Sequence, residues 1–353
     1  MCGGGLPMDI QELQQIAESS MTENHINFVN RGAYNNWTRD RNRTKLDEIS
    51  INPRLLRDIT GRDISTTVQG EKISFPVMCA PAGGQCASHP DGELATARAA
   101  GRAGTLMVLP VGSGYTIEQV SEVATGPIWF QHIHYSDGIT EEFLPRLKPA
   151  GYSAVVLTVD AIGPFNLDKA IPTRHASIEG KMFGSLEGHD ELLDKNGSVQ
   201  WEPPNITWQR LKWIKTLSDD LPLIIKGIRN AEDALLCAEY DVDGVVVSNH
   251  GGRQFDGGRS SIEILPEVVN AIGDYLEVYF DSGVRSGLDV FKALAMGARA
   301  AFVGRPIHWG LAHDGEAGVS LALEILHSEF DKVFAFSGCR NVAEVNRDYV
   351  KLI

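Results

Sequence analysis

The sequence predicts a (β/α)8 TIM barrel, of α/β class, on three observations. Eight short apolar runs recur along the 353 residues. Most are separated by amphipathic stretches long enough for a helix and a return crossover to a parallel neighbour. Polar side chains collect at the carboxyl ends of the runs, where barrels bind their ligands. An open doubly wound sheet is the alternative, because counting strands does not establish closure.

The runs are PVMCA at 76–80, TLMVL at 105–109, PIWFQ at 127–131, AVVLTVD at 154–160, PLIIK at 222–226, GVVVSN at 244–249, EVYFD at 277–281 and AAFVG at 300–304. Segments such as GELATARAAGRAG and IEQVSEVAT supply helices between them. Residues 1–75 read as an N-terminal helical cap, with helices expected over 9–20 and 23–29 and a flexible start at MCGGG. Residues 76–353 are assigned to the barrel. Within it, the stretch 163–206 is rich in Gly, Pro, Asp and Asn and separates the fourth run from its helix, ITWQRLKWIKTL. A loop of that length in a compact domain reads as a lid over the ligand face.

A formal net charge of −14 argues against a nucleic-acid surface, which carries a clustered excess of Lys and Arg. No stretch approaches the roughly 20 apolar residues of a membrane span, and the first residues lack the charged start and apolar run of a secretory signal. Cys2, Cys79, Cys86, Cys237 and Cys339 are odd in number and lack zinc-like spacing, which suits free thiols in a reducing compartment. A cytoplasmic protein with no metal, nucleic-acid or membrane partner is expected.

The most informative stretch is VVVSNHGGRQFDGG at 245–258, in which a buried strand delivers His250 and Arg253 beside flexible glycines. The other strand ends add Gln131, Thr158, Asp160, Lys226, Ser248, Asp281, Arg285 and Arg305. Packing favours uncharged groups at such positions, so this convergence points to a cofactor and a substrate. DSGVRSG and VGRP place Gly283, Arg285, Gly304 and Arg305 after the last two strands, where barrels commonly hold phosphate. Lys226 suits either a Schiff base or a fixed cation against an anionic ring. Asp160 and His250 suit an acid–base pair in which the carboxylate orients the imidazole.

In these motifs the chain resembles the FMN-dependent α-hydroxy-acid oxidases and dehydrogenases, the family of glycolate oxidase, lactate oxidase and mandelate dehydrogenase. The resemblance begins near FVNRGAYNNWT and PRLLRDI and runs through APAGGQCASHPDGELATARAAGRAGT, LTVD, LPLIIKGI, SNHGGRQFDGG, DSGVRSGLDVFKALAMGARAAFVGRP and FSGCRNVAEV. It implies FMN at the barrel mouth, with its phosphate around Gly283, Arg285, Gly304 and Arg305 and with Pro81, Ala82 and Gly83 alongside the ring. It further implies ring hydrogen bonds from Gln131, Thr158 and Ser248, Lys226 at the ring's N1/O2 edge, His250 as base paired with Asp160, and Arg253 on the substrate's carboxylate or carbonyl. A tetramer is expected from the same resemblance, and dioxygen or another acceptor would reoxidise the flavin.

Departures from the family pattern gather in the substrate pocket. A substrate tyrosine corresponds to Phe28, a second to Ile133, and a second carboxylate-binding arginine to Leu167. A serine beside the flavin corresponds to Pro110, and the aromatic or small residue two positions on to Gly112. A buried carboxylate that loses one arginine partner is left poorly paired, at a cost of about 2–5 kcal/mol. Either Arg174 or Lys169 replaces the arginine and His132 or His134 a tyrosine's hydrogen bond, or the substrate carries no free carboxylate. The expected activity is oxidation of a bulky α-hydroxy or α-amino carbonyl compound in specialised biosynthesis. Redox-neutral isomerisation and a flavin-binding protein without turnover are the alternatives.

Overall fold

The structure is a computed structural model that describes residues 9–161, 181–193, 199 and 206–352. Eight parallel strands close into a barrel in chain order. They are β1 (Val77–Cys79), β2 (Met107–Pro110), β3 (Ile128–Ile133), β4 (Val155–Thr158), β5 (Leu223–Ile228), β6 (Gly244–Val247), β7 (Glu277–Phe280) and β8 (Ala301–Val303). The ring is completed where Val303 of β8 pairs with Cys79 of β1, so the open-sheet alternative falls.

Period-two alternation sorts the strand residues into two environments. Met78, Val108, Trp129, Val156, Ile224, Val246, Tyr279 and Phe302, one from each strand, fill the barrel interior. The rings of Trp129, Tyr279 and Phe302 meet edge-on with centroids 5.7 to 6.5 Å apart, a geometry that adds about 1 kcal/mol per pair beyond burial. Their neighbours, such as Val77, Leu109, Leu157 and Val247, belong to the larger core between barrel and helices. Two residues beyond each interior residue, the same inward face reaches the mouth. There it presents Ala80, Pro110, Gln131, Thr158, Lys226, Ser248, Asp281 and Gly304.

The segment before β1 serves both ends of the barrel. Helices Ile10–Glu18 and Glu23–Asn30 start at side-chain caps, Asp9 accepting from the Glu12 N–H and Thr22 from the His25 N–H. The first packs on the long helix Arg305–Phe336, and the helix Trp37–Asp47 packs on the turn at His250–Gly252. At the opposite end, strands Thr66–Val68 and Glu71–Ile73 form a hairpin whose Val68 and Ile73 join the interior layer. Its turn, Gln69 and Gly70 with φ of 46° and 81°, is the two-residue type favoured by strand twist. The hairpin escaped sequence reading because each strand has only three residues. A further strand, Val350–Leu352, pairs antiparallel with Ile49–Ile51.

Most of the expected lid, including Leu167, Lys169 and Arg174, lies outside the described residues. Of its described part, Met182 and Phe183 lie over Gly112, where an added Cβ would come within 3.2 Å of the Met182 methyl.

Candidate active site

The turn after β6 is held in an uncommon conformation. His250, Gly251 and Gly252 have φ of 58°, 65° and 73°, a left-handed run that costs a histidine energy and persists only where its surroundings enforce it. Ser248 Oγ accepts the His250 N–H at 3.0 Å, and Ser282 Oγ accepts the Gly251 N–H at 3.0 Å. Below the turn, Asn249 and Asn42 exchange amide hydrogen bonds of 2.9 and 2.7 Å, both buried, and Asn249 Oδ1 also accepts the Gly252 N–H. A side chain at Gly252 would strike the Arg39 backbone. Of these supports only Ser248 was singled out in the sequence, and for a different role; asparagine and serine carry no signal that separates this use from an ordinary turn.

This turn brings His250 Nδ1 to 2.9 Å from Asp160 Oδ1. Burial would raise the Asp160 pKa, but His250, Lys226 and Arg229 outweigh it, and the carboxyl lies below its ordinary value. Asp160 therefore stays ionised, which assigns the imidazole proton to Nδ1 and leaves Nε2 able to accept. The second carboxylate oxygen has no partner among the described residues. Gly227, at a bulge in β5, has φ of 116°, and a Cβ there would lie 2.9 Å from the Asp160 Cβ. The aspartate thus depends on a glycine that the sequence reading passed over.

Lys226 is buried, 3.2 Å from Asp281 Oδ2, and donates to Ser248 Oγ at 3.0 Å. Burial alone would lower its pKa, yet Asp281 and Asp160 carry it above the ordinary lysine value. That charge disfavours the Schiff-base alternative and makes Lys226 a fixed cation. Gln131 donates to Thr158 Oγ1 at 2.9 Å and accepts the Val111 N–H at 3.1 Å. The hydroxyl protons of Thr158 and Ser248 are unclaimed among the described residues and remain available to a ligand at the mouth.

One cavity joins Lys226, His250 and Asp281 to the last two strands, with Ser248, Gln131, Thr158 and Asp160 packed behind its lining. It is lined by Ala80–Gly83, Lys226, His250, Arg253, Asp281, Gly283, Arg285, Gly304 and Arg305, with Phe28, Met182 and His308 on its wall. Gly283, with φ of 97°, packs against the Asn42 backbone. Arg285 donates to the Val284 carbonyl and lies 4.9 Å from the Trp309 ring; Arg305 donates to the carbonyls of Val29, Arg31 and Gly251. Arg253 donates to the Phe28 carbonyl at 2.6 Å. Burial, and then crowding by other arginines, pushes all three guanidiniums down to about 9. Among the described residues none forms a salt bridge. Desolvated cations without an anion call for an anionic ligand, and the start of a long helix at Arg305 adds to that pull.

The other expected residues are placed less uniformly. Gly112 and Ile133 are not among the residues lining this cavity, and neither are Gln131, Thr158, Ser248 and Asp160; Thr158 and Asp160 line a neighbouring cavity with His134, Gly227 and Trp208. His132 and His134, expected to replace a tyrosine's hydrogen bond, do not line the cavity that holds Arg253; His132 Nε2 and His134 Nδ1 both bond Thr140 Oγ1 at 2.9 Å. Alternation explains His132, since Gln131 faces the barrel interior and its neighbour must face out, where it stacks near Phe130. Among the described residues, no group of His, Cys, Asp or Glu is placed to hold a metal ion and no helix is long and apolar enough to cross a membrane.

FMN fits what is present. Its phosphate answers arginines that form no salt bridge among the described residues, and its flat ring answers a floor edged by Lys226. The sequence matches the family model described as FMN-dependent dehydrogenase over residues 17–352. Glycolate oxidase 3 of Arabidopsis thaliana is 38% identical over 352 residues, covering 97% of this chain and 95% of that protein. A mandelate oxidase structure with benzoyl-formic acid superposes with a TM-score of 0.84 at 31% identity, covering 98% of both chains. A mandelate oxidase variant with 2-hydroxy-phenylacetamide gives 0.84 at 32%, covering 98% of this chain and 99% of that one. The chain belongs to the FMN-dependent dehydrogenase family, and is an FMN-dependent oxidoreductase of the α-hydroxy-acid oxidase and dehydrogenase type that acts on CH–OH donors.

Proposed function

We propose that this enzyme oxidises a bulky α-hydroxy or α-amino carbonyl compound to its α-oxo product, and that it does not require a free carboxylate. The observation that carries the reading is the wall beside Arg253, where the Phe28 ring lies 5.0 Å from the guanidinium and offers no hydroxyl. Arg253 keeps Nε and Nη2 without partners among the described residues, so one arginine is available to a substrate oxygen on this side. A carbonyl oxygen needs no more than that; a buried carboxylate does. The aryl ligands of mandelate oxidase support a bulky substrate, and the amide is seen in a variant of that enzyme.

Bound FMN supplies the two-electron acceptor. In this reading His250 Nε2 takes the proton from the substrate's hydroxyl, and Asp160 holds the Nδ1–H and stabilises the imidazolium that results. Arg253 orients the carbonyl oxygen. Lys226, fixed by Asp281 and Ser248, holds positive charge at the floor of the site. We place Gln131, Thr158 and Ser248 on the flavin ring and Arg285, Arg305, Gly283 and Gly304 on its phosphate. The intact His250–Asp160 pair weighs against redox-neutral isomerisation and against lost turnover. A cytoplasmic tetramer remains part of the proposal.

The test is anaerobic bleaching of the enzyme-bound flavin by glycolate, mandelate and 2-hydroxy-phenylacetamide. The reading expects the amide to bleach within about tenfold of mandelate and glycolate to be slowest. Glycolate as fast as mandelate, with an inert amide, would overturn it.

A further inference from the structure

Beside Arg253 the cavity wall holds a polar group that the chemistry above does not use. His308, one turn into the helix Arg305–Phe336, is only 4% exposed yet lines the cavity with Phe28 and Arg253. Its Nδ1 lies 2.8 Å from Ser88 Oγ, and the same hydroxyl lies 3.0 Å from Nε2 of half-buried His25. Its Nε2 has no hydrogen-bond partner among the described residues. Phe28 meets the imidazole edge-on, with centroids 6.3 Å apart.

Ser88 has one hydroxyl proton, so it donates to one imidazole and accepts from the other. If His25 Nε2–H donates to Ser88 and Ser88 donates to His308 Nδ1, then His308 offers an Nε2–H to the cavity. The opposite direction offers a bare nitrogen. Burial, followed by His25, Arg253 and Arg305, pushes the His308 pKa down to about 3. The ring is therefore neutral near neutral pH and adds no second cation beside the arginine. A neutral donor next to one cation suits an oxygen that accepts two hydrogen bonds without carrying a full charge.

We propose that His308 is a substrate-binding residue whose Nε2–H shares the substrate's carbonyl oxygen with Arg253, and that Ser88 and His25 are positioning residues that set its tautomer. The inference rests on the reading that an α-hydroxy carbonyl compound binds beside Arg253, and it names the donor that accompanies that arginine.

The test uses the flavin-loaded wild type with His308→Leu, His308→Gln and Ser88→Ala. Each is titrated with benzoylformate, a non-reducing α-oxo ligand, through the flavin's visible absorbance, and its FMN content is measured. His308→Leu is expected to weaken benzoylformate about tenfold, the effect of one neutral hydrogen bond, with FMN retained. His308→Gln, which puts an amide nitrogen near the position of Nε2, should stay within about threefold of wild type. Ser88→Ala should weaken binding several-fold and raise KM for mandelate with little change in kcat. It also serves if His308→Leu does not fold. Binding unchanged in both His308→Leu and Ser88→Ala, or a glutamine variant as weak as the leucine variant, would overturn the inference. A wild type that neither binds benzoylformate nor is bleached by mandelate or its amide would instead overturn the underlying reading.

Discussion

The floor of the cavity and its wall are built in opposite ways. At and beneath the floor the polar groups are tied in pairs: Lys226 to Asp281 and Ser248, Gln131 to Thr158, His250 to Asp160. On the wall, Phe28 touches Arg253 and His308 through its ring, Met182 arrives from a distant loop, and the hydrogen-bonded chain His308–Ser88–His25 runs away from the floor groups. A cross-linked floor fixes one geometry and tolerates little change, because each deletion strands a buried partner. A wall of packed rings sets shape and can be altered without disturbing the floor. On the proposed function, the floor holds the reaction type and the wall the substrate choice.

The comparison breaks most visibly at His250. His250→Gln should retain FMN and lower the rate of anaerobic flavin reduction by about a thousandfold or more, in line with the loss of a general base; normal reduction in a stopped-flow trace would remove His250 from the mechanism. Next in size are the phosphate-side arginines. Arg285→Ala or Arg305→Ala should weaken FMN by about 10- to 100-fold, the worth of a charge-assisted hydrogen bond, as read by flavin release on dilution. Gly227→Ala comes third. Its φ of 116° and the approach to Asp160 predict strain of about 1–3 kcal/mol, a lower Tm and a roughly tenfold slower flavin reduction. The smallest effect is expected for Asn42→Ala, which leaves the Asn249 amide short of a partner and costs about 1–2 kcal/mol. Thermal unfolding should register it with FMN still bound.

The same division governs what the sequence made legible. Floor residues sit on strands, where a period of two carries each interior apolar residue to a mouth residue two positions on. Gln131, Thr158, Lys226, Ser248 and Asp281 could therefore be found from the apolar runs alone. Wall residues come from helices and loops far apart in sequence, joined only by folding. Phe28 was found through a family resemblance, whereas His308, Ser88 and His25, separated by 220 and 63 residues, left no local pattern. His132 shows the limit from the other side. It is adjacent to Gln131 and plausible by composition, but alternation turns it away from the barrel interior. The hairpin at Thr66–Ile73 was missed for a simpler reason, its strands being too short to show a period.

The separation of floor from wall is tested most directly by Phe28→Tyr, with FMN affinity and the ratio of flavin-reduction rates by mandelate and 2-hydroxy-phenylacetamide measured on one preparation. A hydroxyl beside Arg253 favours a charged acceptor over a neutral one. The account predicts unchanged FMN affinity and a ratio shifted several-fold towards mandelate. An unchanged ratio, or a loss of FMN affinity that accompanies the shift, would contradict it.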